Sequence, residues 1–152
     1  MWGELRDSPK DKADLIAKLK ADLSPARIAS GNKGGGRAIF ANTCAACHKL
    51  FGSGGDIGPD LTGAGRKDLD YLLSNIIDPS AVVNKDFTMT VFNLADGRSI
   101  SGIVLAENDN AITVQTAKEK VVLPKADVEK RTQSTQSLMP DALLQPMTPE
   151  QI

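Results

Sequence analysis

Apolar residues recur at helical spacing between Pro9 and Leu23, where Leu15, Ile16, Leu19 and Leu23 fall on one face and charged residues on the other. Ser8 reads as the N-cap, Pro9 as a first-turn residue and Asp11 as the acid that favours the positive helix end. Ser24-Pro25 interrupts this helix. The glycine-rich run of residues 30–36 predicts a flexible linker. Arg37 to Ala41 predicts a short helix running into residue 44. Seven glycines and prolines between Gly52 and Gly65 then predict a shaped loop. Leu69, Leu72, Leu73, Ile76 and Ile77 predict another helix over residues 67–77, ended by Asp78-Pro79.

The pattern then changes to β-type. Phe87 to Leu94 is rich in β-formers, Ala95-Asp96-Gly97-Arg98 is a turn, and Ser99 to Ala106 continues with Ile100, Ile103, Val104 and Leu105. Asp-Gly between two such runs signals a hairpin. Ala111 to Thr116 and Val121 to Leu123 extend it, so residues 87–123 predict three or four antiparallel strands. The tail from Asp127 is polar, and Thr148-Pro149 announces a helix that the sequence, ending at Ile152, cuts short.

A chain of 152 residues, 41% hydrophobic and 24% charged, is expected to form one domain or one domain with a small annex. Its net charge of −1 argues against a nucleic-acid surface. Lys10, Lys12, Lys18 and Lys20 are interleaved with Asp7, Asp11, Asp14 and Asp22, as on a solvated helix face. No run of about 18 apolar residues predicts a transmembrane helix. Met1-Trp2-Gly3-Glu4 does not begin an export leader.

The chemistry is concentrated in one pentapeptide. Both cysteines and the single histidine lie in Cys44-Ala45-Ala46-Cys47-His48, the attachment pattern for a c-type haem. Two thiols about one helical turn apart can add to the two vinyl groups of a porphyrin, and the next residue offers its imidazole to the iron. Competing readings fit less well: a thioredoxin-like pair needs a βαβ context and leaves His48 idle, a disulfide at this spacing is strained, and zinc needs a fourth ligand from Asp or Glu. Aromatic residues make up only 4% of the chain, and a buried porphyrin would supply part of the missing apolar bulk. Haem is attached to this motif outside the cytoplasm, so a periplasmic or otherwise extracytoplasmic location, with the export signal removed, is expected.

Arg37-Ala38-Ile39-Phe40, the CxxCH, Gly58-Pro59-Asp60-Leu61 and Leu138-Met139-Pro140 occur in the order found in monohaem cytochromes c. With Asp78-Pro79-Ser80, Asp96-Gly97-Arg98 and Ser101-Gly102 added, residues 36–152 resemble the haem-binding CxxCH domain family described from planctomycetes and verrucomicrobia. The resemblance implies a mainly α cytochrome c fold with an inserted antiparallel β hairpin or sheet, α+β overall. Residues 1–30 would be an N-terminal helical extension and 31–152 the haem domain, with the β insert at about 87–123 packed beside the haem fold. It also implies thioether bonds at Cys44 and Cys47, His48 as proximal ligand, Pro59 offering its carbonyl to the imidazole, and Met139 as distal ligand.

The distal ligand is also constrained by elimination. With one histidine, a strong-field sixth ligand comes mainly from Met1, Met89, Met139 or Met147. Met139 precedes a proline in a stiff stretch suited to crossing a porphyrin face, Met147 follows it as a candidate, and Met89 reads as strand core. The expected function is a monohaem one-electron carrier with His/Met ligation, relaying electrons for an extracytoplasmic dehydrogenase and not itself an enzyme. A gas or redox sensor with a displaceable Met139, or a peroxidase-like enzyme, are the alternatives. Expected partners are a redox protein or dehydrogenase domain, steered by Lys33, Lys49 and Lys67. Pairing of two chains over the face left open by the short C-terminal helix is a further expectation. The β-rich annex either covers a haem edge or docks a partner.

Overall fold

The structure, a computed structural model, describes residues 5–152, and Met1 lies outside them. The described chain divides into two compact units: residues 5–82 with 139–152, and residues 83–138.

In the first unit, helix α1 (Lys10–Asp22) forms where the apolar period predicts it. Pro9 occupies its N-cap position and no side chain caps it. Ser8 is instead hydrogen-bonded to the Asp78 carboxylate, a charge-assisted bond stronger than a neutral cap. Ser24 ends this region and caps α2 (Pro25–Ser30), its Oγ accepting from Arg27 N. The predicted linker is helical from Lys33 onward. Asn32 Oδ1 accepts the Gly35 amide at 3.0 Å and so starts α3 (Lys33–Thr43), despite a cost of about 1 kcal/mol for each glycine relative to alanine. Cys44 caps the C-terminus of α3. A two-residue strand pair, β1 (Lys49–Leu50) and β2 (Ser53–Gly54), opens the loop that leads to α4 (Leu69–Ile77), whose N-cap is Asp68.

Helices α1 and α4 pack on each other. Leu19, Leu73 and Ile77 are buried between them, Leu15 and Leu69 flank this cluster, and Leu144 and Ile152 reach it from the C-terminal segment. Asp78, at the end of α4, has a fully buried side chain, with Arg6 Nη2 at 2.8 Å and Lys12 Nζ at 2.9 Å. Lys12 is therefore not on a solvated face.

The second unit is a sheet of β3 (Thr88–Leu94), β4 (Ser99–Glu107), β5 (Ala111–Gln115), β6 (Lys120–Pro124) and β7 (Val128–Ser137). The strand order is β6-β5-β4-β3-β7, and every pairing is antiparallel. Gly97 takes φ +83° in the Asp-Gly turn, a conformation glycine adopts without a Cβ penalty. Phe92 pairs with Ile100, and the alternation of β3 and β5 turns Phe92, Leu94, Ile112 and Val114 into one core that Leu123 completes. Gly102 is needed at its position, because a Cβ there would meet the Gln115 carbonyl and lie 2.6 Å from Val114 Cγ1.

The expected mainly α fold with a β insert is not what the chain adopts. Helices take 30% of residues and strands 28%, with the five-stranded antiparallel sheet as their main expression. The difference arises at β7, whose polar sequence carries no core alternation. Its place at the sheet edge is set by backbone pairing to β3. Thr88 pairs with Ser137, so the chain enters and leaves this unit at neighbouring points and rejoins the first unit at Met139.

Candidate haem-attachment site

The CxxCH begins where α3 stops. Cys44 O accepts from both Cys47 N, at 3.1 Å, and His48 N, at 2.9 Å, winding the pentapeptide into a tight turn. Both cysteines are free thiols, and they and His48 are half-buried. The following loop folds back over this turn: Gly55 N donates to Ala45 O and Gly58 N to Cys47 O, each at 2.8 Å.

That return path is open only to residues without side chains. A Cβ on Gly54 would collide with the His48 carbonyl, and one on Gly55 with the Ala46 carbonyl. On Gly58 it would lie 2.5 Å from His48 Cε1 and 2.8 Å from Nδ1. Gly58 thus lies against the imidazole, and the next carbonyl, that of Pro59, is 2.8 Å from His48 Nδ1. A carbonyl can only accept, so Nδ1 donates in this contact, and Nε2 is the ring nitrogen left to face a metal.

Further along, Thr62 Oγ1 accepts from Phe51 N at 2.8 Å, Asp60 Oδ1 accepts from Thr62 N at 2.7 Å, and the Arg66 guanidinium lies 4.7 Å over the Phe51 ring. Phe51 itself sits at φ +52° and is exposed. These bonds hold the loop of residues 49–66 in one shape. The donor set fits haem c: two free thiols at the attachment spacing and an imidazole whose Nδ1 is engaged by Pro59, leaving Nε2 for the iron.

Residues 35–87 match the family model described as Cytochrome c. This part of the chain, about a third of its length, is similar to that family. The match implies covalently bound haem c with iron, which the Cys44/Cys47 pair suits, and it supports haem-based electron transfer. The match covers α3 from its third residue, the CxxCH, the folded-back loop and α4, and it ends before β3. It reaches the family and not the narrower planctomycete-type branch. No curated protein matches the chain.

Within the unit that holds the CxxCH, burial is the main effect raising the Cys44 thiol above its ordinary pKa, with Cys47 adding to it. Met139 and Met147 belong to the same unit as His48, and both are half-buried. Met89 lies in β3, opposite Ile103 in the sheet. Among the described residues, no helix is long and apolar enough to cross a membrane. The glycines at 54, 55 and 58 were legible only as loop formers, and Lys12 and Asp141 carried no sequence signal for their pairing.

Proposed function

We propose that the chain is a one-electron carrier in which His48 and Met139 are the axial ligands, working as an extracytoplasmic relay for a dehydrogenase or similar redox protein. The observation that carries the reading is the 2.8 Å contact between His48 Nδ1 and Pro59 O. A second-shell acceptor of this kind holds the ring in one orientation and raises the basicity of the ligating nitrogen. Cys44 and Cys47 would hold the thioether bonds and fix the porphyrin edge against the end of α3. When bound, the haem supplies a one-electron Fe(III)/Fe(II) couple. Met139 is favoured over Met147 because Pro140 stiffens the segment beside it. Its thioether would favour the ferrous state more than a second imidazole does, and so raise the potential.

The role requires no acid or base beside the iron, and the protein partner, rather than a small substrate, delivers and removes the electron. The test is exposure of the reduced holoprotein to carbon monoxide at neutral pH. The wild-type spectrum is expected to persist and that of Met139→Ala to change. Ready binding by the wild type would move the reading to a sensor or an open-site enzyme, and a Met139→Ala protein that still excludes the gas would move the ligand to Met147.

A further inference from the structure

Lys12 and Asp141 are separated by 129 positions in sequence. Lys12 Nζ lies 2.7 Å from Asp141 Oδ2 and 2.9 Å from Asp78 Oδ1. The two carboxylates differ in kind: Asp78 is fully buried at the end of α4, whereas the side chain of Asp141 is 53% exposed. Asp78 also has Arg6 and Ser8 as partners, so satisfying it does not require Lys12 to reach Asp141 as well. Lys12 connects a rigid interior point to a surface segment.

That segment begins at Met139. Between Met139 and Asp141 stands Pro140, whose ring locks φ, so few soft torsions separate the Asp141 ion pair from the methionine. On the other side, Ala142 takes φ +65°, a conformation costly for a residue with a Cβ, and Leu144 is set into the apolar cluster of Leu19, Leu73 and Ile77. Such a turn persists when contacts on both sides over-determine it. Here those contacts are the ion pair at Asp141 and the packing of Leu144.

We propose that Lys12 is a positioning residue for the sixth iron ligand: by bridging Asp78 to Asp141 it sets where Met139-Pro140 lies, and so how well Met139 competes with exogenous ligands. The proposal rests on the reading of Met139 as distal ligand. Helix α1, outside the matched residues 35–87, thereby becomes part of the machinery that tunes the iron.

The test uses reduced holoprotein of the wild type, Asp141→Ala, Lys12→Met, Lys12→Arg and Met139→Ala. Its readouts are the rate of carbon monoxide association and the strongly shifted ε-methyl proton resonance of an iron-bound methionine. Asp141→Ala and Lys12→Met are expected to bind the gas about two- to five-fold faster than the wild type, the range that loss of one partly exposed ion pair supports. The methyl resonance should broaden or move in both, and Lys12→Arg should restore wild-type behaviour. Wild-type rates and resonances in Asp141→Ala and Lys12→Met, with Met139→Ala binding the gas freely, would overturn the positioning role alone. A Met139→Ala protein that keeps the resonance would overturn the ligand reading and the proposal with it. Asp141 is at the surface, so Asp141→Ala decides the matter even if Lys12→Met fails to fold.

Discussion

His48 Nδ1 lies 2.8 Å from the Pro59 carbonyl, and the residue between that carbonyl and the returning loop, Gly58, is pressed against the imidazole ring. The two facts are one: the carbonyl reaches the ring only because its predecessor has no side chain.

Gly58→Ala should therefore act on the iron without touching the thioether bonds. The added methyl would fall 2.5 Å from His48 Cε1, forcing the ring to tilt or the Pro59 carbonyl to withdraw. Covalent haem content is expected to stay near wild type, while the optical spectrum and midpoint potential shift. An unchanged potential in a fully loaded variant would show that the ring is not held this way.

Asp78 anchors the α1–α4 unit electrostatically. Burial opposes its ionisation most, yet hydrogen bonds from Lys12 and Ser8 and the charges of Lys12 and Arg6 outweigh it and keep the carboxyl below its ordinary pKa. A depressed folded-state pKa means stability that is present above about pH 4 and is lost as the pH falls through the folded value. Asp78→Asn should lower stability at pH 7 by roughly 2 kcal/mol, the modest end for a buried pair because Arg6 can turn to solvent. Its stability should also decline less steeply than the wild type's below about pH 4. Denaturant titrations at pH 7 and below pH 4 check both statements.

The sheet unit depends on Phe92, which is fully buried and packed among Leu94, Ile112, Val114 and Leu123. Phe92→Ala should cost about 3–5 kcal/mol in this unit. The loss should be read as reduced hydrogen-exchange protection of the amides in β3, β4 and β5. Protection equal to the wild type's would mean that the core lies elsewhere.

How far such features could be read from sequence depends on the range of the interactions that create them. The CxxCH was legible because its chemistry needs a fixed local spacing, and the Asp96-Gly97 hairpin because a positive φ is a local demand. Helix α1 was legible from Leu15, Ile16 and Leu19. Strand β7 was not, since Val128–Ser137 is largely polar and its register comes from main-chain bonds to a strand far back in the chain. The glycine-rich run of residues 30–36 has a linker's composition, yet Asn32 caps a helix there, because one side-chain bond decides between the two. The Lys12–Asp141 contact leaves no trace in composition or period, because only the tertiary fold brings its partners together.

The most direct test of the whole account is a redox titration of the purified holoprotein's haem absorbance, run with and without carbon monoxide. A covalently held haem with both axial positions filled by the protein predicts one reversible wave of about 59 mV per tenfold change in the oxidised-to-reduced ratio, at the same midpoint under either gas. A midpoint driven upward by carbon monoxide would reveal an iron open to ligands in its ferrous state, and the claim of a His48/Met139 electron carrier would fall.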